Sequence, residues 1–211
     1  MIQGSEEWIQ ARLGKVTASR VADVVRKTKS GPAASRANYM AELISERLTG
    51  SAAPSYVSQA MQWGTETEAA ARAAYEFMTD KDVTEVGFID HPILSMCGGS
   101  PDGLVPLHGI VEFKCPLTAT HLDYLDTEEV PRDYLIQMHW NMACTSTKYG
   151  HFVSFDPRLP PAMQLLIINV TRDDQLLKEL TTEVKLFLNE LEFRMNGYCE
   201  RFRLKPKVLA A

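Results

Sequence analysis

Two acids and a lysine, Asp102, Glu112 and Lys114, are the residues of this 211-residue chain best placed by type and spacing to do chemistry. Asp102 sits in Ser100-Pro101-Asp102-Gly103, and Glu112 and Lys114 flank Phe113. Two carboxylates forced together repel unless a proton or a cation lies between them. Mg²⁺ suits such a pair, because it takes one or two carboxylates, several waters and phosphate oxygens. A lysine beside that ion orients an attacking water or favours its hydroxide form. The order acid, hairpin, acid-x-lysine therefore makes metal-assisted cleavage of a phosphodiester the first hypothesis. The plainer alternative is an edge hairpin with exposed charges, since the bare spacing is common.

A hairpin must bring the three groups together. Pro106, Gly109 and the Leu107-His108 pair between them read as a turn. Leu104-Val105 and Ile110-Val111 read as its strands. A turn centred between Leu107 and His108 places Gly103 across from Glu112. Asp102 then lies within about 5–8 Å of Glu112 as a direct or diagonal neighbour. Alternate strand residues share a face, so Glu112 and Lys114 point one way. Val111, Phe113 and Cys115 point the other way, toward a core.

The remaining pattern predicts helices at residues 5–13, 17–25, 36–48, 55–78, 131–143 and 173–196, with a possible break at Gly64. Strands are predicted at 83–89, 149–154 and 165–169, and a loop at 27–35. Leu176, Leu177, Leu180, Val184, Phe187, Leu188 and Leu191 form one apolar stripe on the last helix. The expectation is a single α/β domain over residues 1–211, a sheet flanked by helices. No signal peptide and no membrane-length apolar stretch is seen, so a cytoplasmic protein without membrane contact is expected. Cys97, Cys115, Cys144 and Cys199 show no C-x-x-C spacing and read as reduced and buried. His91, His108 and His121 are expected in or near loops.

Net charge is −5, which by itself argues against a nucleic-acid partner. Residues 1–36, however, hold seven Lys/Arg against three acids, a local +4 that leaves −9 for the rest. Arg194, Arg201, Arg203, Lys205 and Lys207 form a second basic group. Such patches can guide a phosphate backbone, and solvated surface charge is the equal alternative for the tail.

Several residues could join the hairpin. Glu68 would add a third acid, but Thr65-x-x-Glu68 after Gly64 equally fits a capping box. Arg12 offers a fork of donors for a phosphate, and Ser19 a hydroxyl at a helix start. Ser19 or Thr17 could instead be a plain N-cap. Gln137 lies on a helix after the hairpin, where its amide could reach the site or simply face solvent.

Taken in order, these residues resemble a known family. The anchors are Arg12-Leu13-Gly14 with Thr17-Ala18-Ser19, Trp63-Gly64 with Glu68, Ser100-Pro101-Asp102-Gly103, Glu112-Phe113-Lys114-Cys115-Pro116, and Gln137. Tyr149-Gly150-His151-Phe152 and Phe155-Asp156-Pro157-Arg158 add to them. Together they resemble the lambda-exonuclease or YqaJ-type viral recombinase group, the phage alkaline exonucleases of the PD-(D/E)xK nuclease superfamily. The resemblance implies a restriction-endonuclease-like core, a central mixed β-sheet flanked by α-helices. It implies 5′-to-3′ digestion of one strand of duplex DNA with Mg²⁺ (or Mn²⁺), two ions per site, releasing mononucleotides and leaving a 3′ single-stranded tail. Asp102 and Glu112, with the Phe113 carbonyl, would hold metal. Lys114 would assist the water, Glu68 would be an outlying acid and Gln137 an auxiliary residue. Arg12 and Ser19, with Thr17 and Ser100, would hold a 5′-phosphate. The same resemblance implies a ring of three subunits and a single-strand annealing protein as partner. The chain departs from the lambda-type pattern at residues 53–58 and at Met138-His139. A site-cutting endonuclease or resolvase on the same scaffold, and a non-catalytic DNA-end-binding protein, are the alternatives.

Overall fold

The computed structural model describes residues 1–29, 31–53 and 58–208, apart from the side chains of Ala60 and Met61. The predicted helix start at Ser55 and most of the 53–58 departure lie outside the described residues. The largest sheet has four strands in the order β6 (Gly103–Val105), β7 (Gly109–Lys114), β8 (Tyr149–Phe155) and β9 (Leu165–Thr171). β7 and β8 run parallel, while the outer pairs are antiparallel. A second sheet pairs β1 (Val16–Thr17) with β5 (Cys97–Gly99) in parallel, and β5 with β4 (Ile89–Asp90) antiparallel. β2 (Lys27–Thr28) and β3 (Gly31–Pro32) form a small separate ribbon.

The period-2 pattern of β7 determines what covers each face. Val111, Phe113 and Cys115 pack with Ala71 and Tyr75 of α4 (Gln59–Thr79). Ile110, on the opposite face, packs with Met138 and Met142 of α6 (Arg132–Thr145) and with Phe152. The reverse side of α6 carries Ile136, Trp140 and Cys144 into a helical layer. That layer contains α2 (Val21–Val25), α3 (Ala34–Thr49) and α7 (Asp174–Phe202). α6 is therefore buried on both sides, which is why its sequence has no clean polar face. The stripe on α7 is the side buried here, with Leu177, Leu180, Val184, Phe187 and Leu191 inside. Asp173 caps this helix by accepting from Gln175 N and Leu176 N at 2.9 and 3.0 Å.

Several expectations need correction. The hairpin pairs Gly103 with Val111 and Val105 with Gly109, one residue away from the predicted register. Its loop is Pro106-Leu107-His108, with positive φ at Leu107 and His108. The predicted strand at 83–89 reduces to one bridge, Thr84 to Leu104, and to the start of β4. α4 runs through Gly64 without a break, because one interior glycine costs only about 1 kcal/mol. Thr65 is thus inside the helix, and the capping-box reading of Glu68 fails. An additional helix, α5 (Thr118–Thr127), follows β7, and His121 is fully buried on it rather than in a loop. The predicted second helix begins as a 3₁₀ turn at Ala18–Arg20 before α2. All four cysteines are free, three buried and Cys199 half-buried. Among the described residues no helix is long and apolar enough to cross a membrane.

Candidate active site

The site forms where β7 ends, beside the link Ser100-Pro101-Asp102 between β5 and β6. The Phe113 N–H donates to Asp102 Oδ2 at 2.7 Å, so main chain clamps the first acid to the strand bearing the second. Glu112 is only 1% exposed and faces α6. A buried carboxylate requires donors, and it finds them on both oxygens. Lys114 Nζ donates to Oε1 at 2.8 Å, and the Gln137 amide donates to the same oxygen. Asn141 Nδ2 donates to Oε2 at 3.1 Å. Lys114 also lies over the Tyr134 ring, 5.0 Å from its centre. The exposed-hairpin reading therefore does not describe Glu112. Phe113 points to the far face and meets Tyr75 edge-on at 5.8 Å.

The charges are unevenly compensated. Burial, and then the nearby Glu112, hold the Asp102 carboxyl well above the usual carboxylate range, against the pull of Lys114 and the Phe113 N–H. Burial, and then Asp102, also push Glu68 upward. Glu68 comes from α4, 3.5 Å from Arg72, and that arginine pairs in turn with Glu85 at 2.6 Å. Burial opposes the charge on Lys114, but Glu112 and Asp102 outweigh it, so the ammonium is held protonated. Lys114, and an Arg72 that Glu68 shares with Glu85, stand against Asp102, Glu112 and Glu68, so the pocket stays short of positive charge. Oxygen donors with that deficit fit a hard divalent cation. Among the described residues no three His, Cys, Asp or Glu side chains form a ready-made ion cage. A Mg²⁺ completed by waters and phosphate oxygens needs only one or two carboxylates.

The second part of the site comes from the start of the chain. Ser5 caps α1 (Glu6–Arg12) by accepting from Trp8 N at 3.3 Å. One turn later the Arg12 guanidinium lies 3.9 Å over the Trp8 ring. Arg12 Nη1 and Trp8 Nε1 both donate to Ser100 Oγ, at 3.4 and 3.0 Å. Arg12 thus contacts Ser100, which lies two residues before Asp102 in the chain. Burial lowers the pKa of Arg12, with Tyr39 and Glu46 acting the other way, yet an arginine stays charged. The turn after α1 is fixed by α3. Gly14 has φ +68°, and a Cβ there would come within 2.7 Å of Arg47 Cγ. The buried Arg47 donates to Gly14 O at 2.8 Å, and Gly14 N donates to Glu46 at 2.8 Å.

Thr17 pairs with Gly98 across β1 and β5, and its hydroxyl is 3.5 Å from Ser19 Oγ. Thr17 takes the N-cap position of the 3₁₀ turn, in extended conformation, without a side-chain capping bond, while Ser19 lies inside that turn. Among the described residues, hydrogen bonds join Arg12 to Ser100 and Thr17 to Ser19, but not one pair to the other. The broad basic patch at residues 1–36 is mostly neutralised. Lys15 pairs with Asp90, Arg20 with Asp23 and Glu42, Arg26 with Asp133, Lys27 with Glu183 and Arg36 with Glu190. Sequence reasoning missed Asn141, Tyr134 and Trp8. Helical spacing could have found two of them: Asn141 is four residues after Gln137, and Trp8 four before Arg12.

The chain is similar to known proteins over most of its length. The YqaJ-like viral recombinase domain matches residues 7–148. A crystal structure of LHK-Exo in complex with dAMP is 51% identical with a TM-score of 0.89, covering 94% of this chain and 98% of that one. A structure of an alkaline exonuclease (LHK-Exo) from Laribacter hongkongensis, also 51% identical over the same shares, gives 0.87. A phage related exonuclease from Haemophilus somnus 129PT, at 16% identity and a TM-score of 0.71 over 87% of this chain and 96% of that one, shares the fold. A comparison with curated proteins finds no match. The α/β architecture, a mixed sheet between helices, is thus the restriction-endonuclease-like PD-(D/E)xK core. With two thirds of its length matched by the domain and half its residues shared with an alkaline exonuclease, the chain belongs to the YqaJ-like viral recombinase family.

Proposed function

We propose that this chain is a Mg²⁺-dependent 5′-to-3′ exonuclease on linear double-stranded DNA, releasing mononucleotides and leaving a 3′ single-stranded overhang for annealing recombination. The chain is an enzyme of the nuclease class, as its family and its 51% identical alkaline exonuclease neighbours indicate. One observation carries the finer reading. The link 100–102 carries both Ser100, which Arg12 contacts, and Asp102, which is bonded to the strand of Glu112 and Lys114, and this supports end recognition and cleavage on one scaffold. A mononucleotide, dAMP, is the ligand of a close structural neighbour and belongs to the product class expected here.

Asp102 and Glu112, with the Phe113 carbonyl, would hold the metal, with Glu68 as an outlying acid. Mn²⁺ could substitute, and two ions would serve each site. Bound there, the metal supplies Lewis-acid activation of water and charge neutralisation at the leaving oxygen. Lys114 stays an ammonium between Glu112 and the Tyr134 ring, so it orients the attacking water and stabilises its hydroxide form rather than removing a proton. Gln137 and Lys114 together hold Glu112 Oε1 in place. Arg12, backed by Trp8, presents its remaining donors to a terminal 5′-phosphate beside Ser100, with Thr17 on β1 and Ser19 in the 3₁₀ turn that follows it. A homotrimeric ring and a single-strand annealing partner complete the reading, and the cytoplasm is its place.

Linear duplex and covalently closed circular duplex, each incubated with and without Mg²⁺, test the proposal. Acid-soluble nucleotide should appear from the linear substrate alone and only with Mg²⁺. Opening of the circle would replace it with a site-cutting nuclease on the same scaffold.

A further inference from the structure

Because α6 is enclosed between the sheet and the helical layer, its polar side chains must find partners inside the protein. Asn141 is fully buried there. Its Nδ2 donates to Glu112 Oε2, while Gln137, one turn earlier, donates to Oε1. The amide can face Glu112 only this way round, since a carboxylate accepts and the amide oxygen cannot donate. Asn141 Oδ1 is thereby turned away, buried, with no hydrogen-bond partner among the described residues. That oxygen rests against Gly99, where a Cβ would overlap it and approach the Ala18 Cβ to 3.3 Å. Gly99 is not in the left-handed region, so space rather than backbone conformation calls for glycine. The next residue is Ser100, on which Arg12 and Trp8 converge. A single amide therefore fills the gap between Glu112 and the link that leads to Asp102.

We propose that Asn141 is a positioning residue for the metal site: wedged between Gly99 and Glu112, it sets the carboxylate orientation in which Glu112 receives a divalent cation. The inference rests on the metal-dependent reading above. The last torsion of a glutamate is broad and only weakly self-determined, so a carboxylate held by one oxygen can still rotate. The bond to Oε2 removes that freedom. Partners of this kind orient a metal ligand, and their loss costs about 10- to 100-fold in metal affinity or activity. Gly99 serves the same end by leaving the amide room.

Mg²⁺ titration calorimetry without DNA on the wild-type chain, Asn141→Ala, Gly99→Ala and the double variant tests this, with nucleotide release from linear duplex followed across the same Mg²⁺ range. Each single change should weaken Mg²⁺ binding about 10-fold and raise the Mg²⁺ needed for release. The double variant should be no weaker than the weaker single one, because both remove the same restraint. Gly99→Ala presses mainly on the Asn141 amide, with the Ala18 Cβ next at 3.3 Å, so it carries the test alone if Asn141→Ala does not fold. Unchanged Mg²⁺ affinity in the folded variants, or losses that simply add, overturns the positioning role and leaves the nuclease reading standing. A wild-type chain that binds Mg²⁺ yet releases no nucleotide overturns the nuclease reading instead.

Discussion

The Glu112 side of the site and the Arg12 side are built on opposite plans. Glu112 is buried, and donors from two elements occupy both of its oxygens. Arg12 lies on an aromatic face and touches one hydroxyl at 3.4 Å, with no carboxylate partner among the described residues. Its neighbours Arg20, Arg26 and Arg36 are all engaged by acids. A guanidinium has five N–H donors, so Arg12 keeps most of its capacity in reserve. Under the proposed function, the difference separates two tasks. Groups that stabilise developing charge work best when fixed before the substrate arrives. A group that grips a terminal phosphate needs donors that are still free.

The largest effect should come from the fixed side. Glu112→Gln or Lys114→Ala should cut nucleotide release by about 100-fold or more while the chain stays folded by circular dichroism. Near-normal release in either variant would remove these residues from the chemistry and end the contrast. Arg12→Ala should act next, and selectively: about 10- to 100-fold slower digestion of 5′-phosphorylated ends, the size of lost hydrogen bonds to a charged group. Digestion of 5′-hydroxyl ends should change far less. Equal losses on both ends would mean that Arg12 supports the fold or the metal acids rather than the phosphate.

The smallest effect should lie outside both regions. His151, on β8, is buried and pairs with Tyr75 Oη at 2.5 Å, and burial, with Lys81 nearby, lowers its pKa to about 4. The unfolded chain takes up that proton near pH 6.5. His151 therefore contributes stability that is fully present above that pH and is lost as pH falls toward 4. Denaturant melts from pH 7 to 4 should show the decline, and His151→Gln should flatten it without altering Mg²⁺ binding. A variant that weakens Mg²⁺ binding would tie this end of the sheet to the site.

The hairpin alternation was legible because period 2 in Val111, Glu112, Phe113 and Lys114 is a local property. So was the α7 stripe. The register was not, since its loop places Leu107 and His108 at positive φ, where sequence leads one to expect asparagine or glycine. Residues 83–89 alternate as a strand should, but among them only Thr84 and Ile89 find strand partners, which depends on what lies beside them. Charge counting suggested a basic patch because the acids that cancel it come mostly from α3, α6 and α7, as distant as Glu190 from Arg36. Glu68 was ambiguous until α4 proved continuous through Gly64. Asn141 went unseen because a buried asparagine and a surface one look alike in sequence.

The most direct test of end-dependent cleavage uses a linear duplex with one 5′-phosphorylated strand, labelled in one sample at its 5′ end and in another at its 3′ end. With Mg²⁺, the 5′ label should be released at once as a mononucleotide, while the 3′ label stays in long DNA until late. Chelation of the metal should stop both. Early release of the 3′ label, release as oligonucleotides, or digestion that survives chelation would contradict the account.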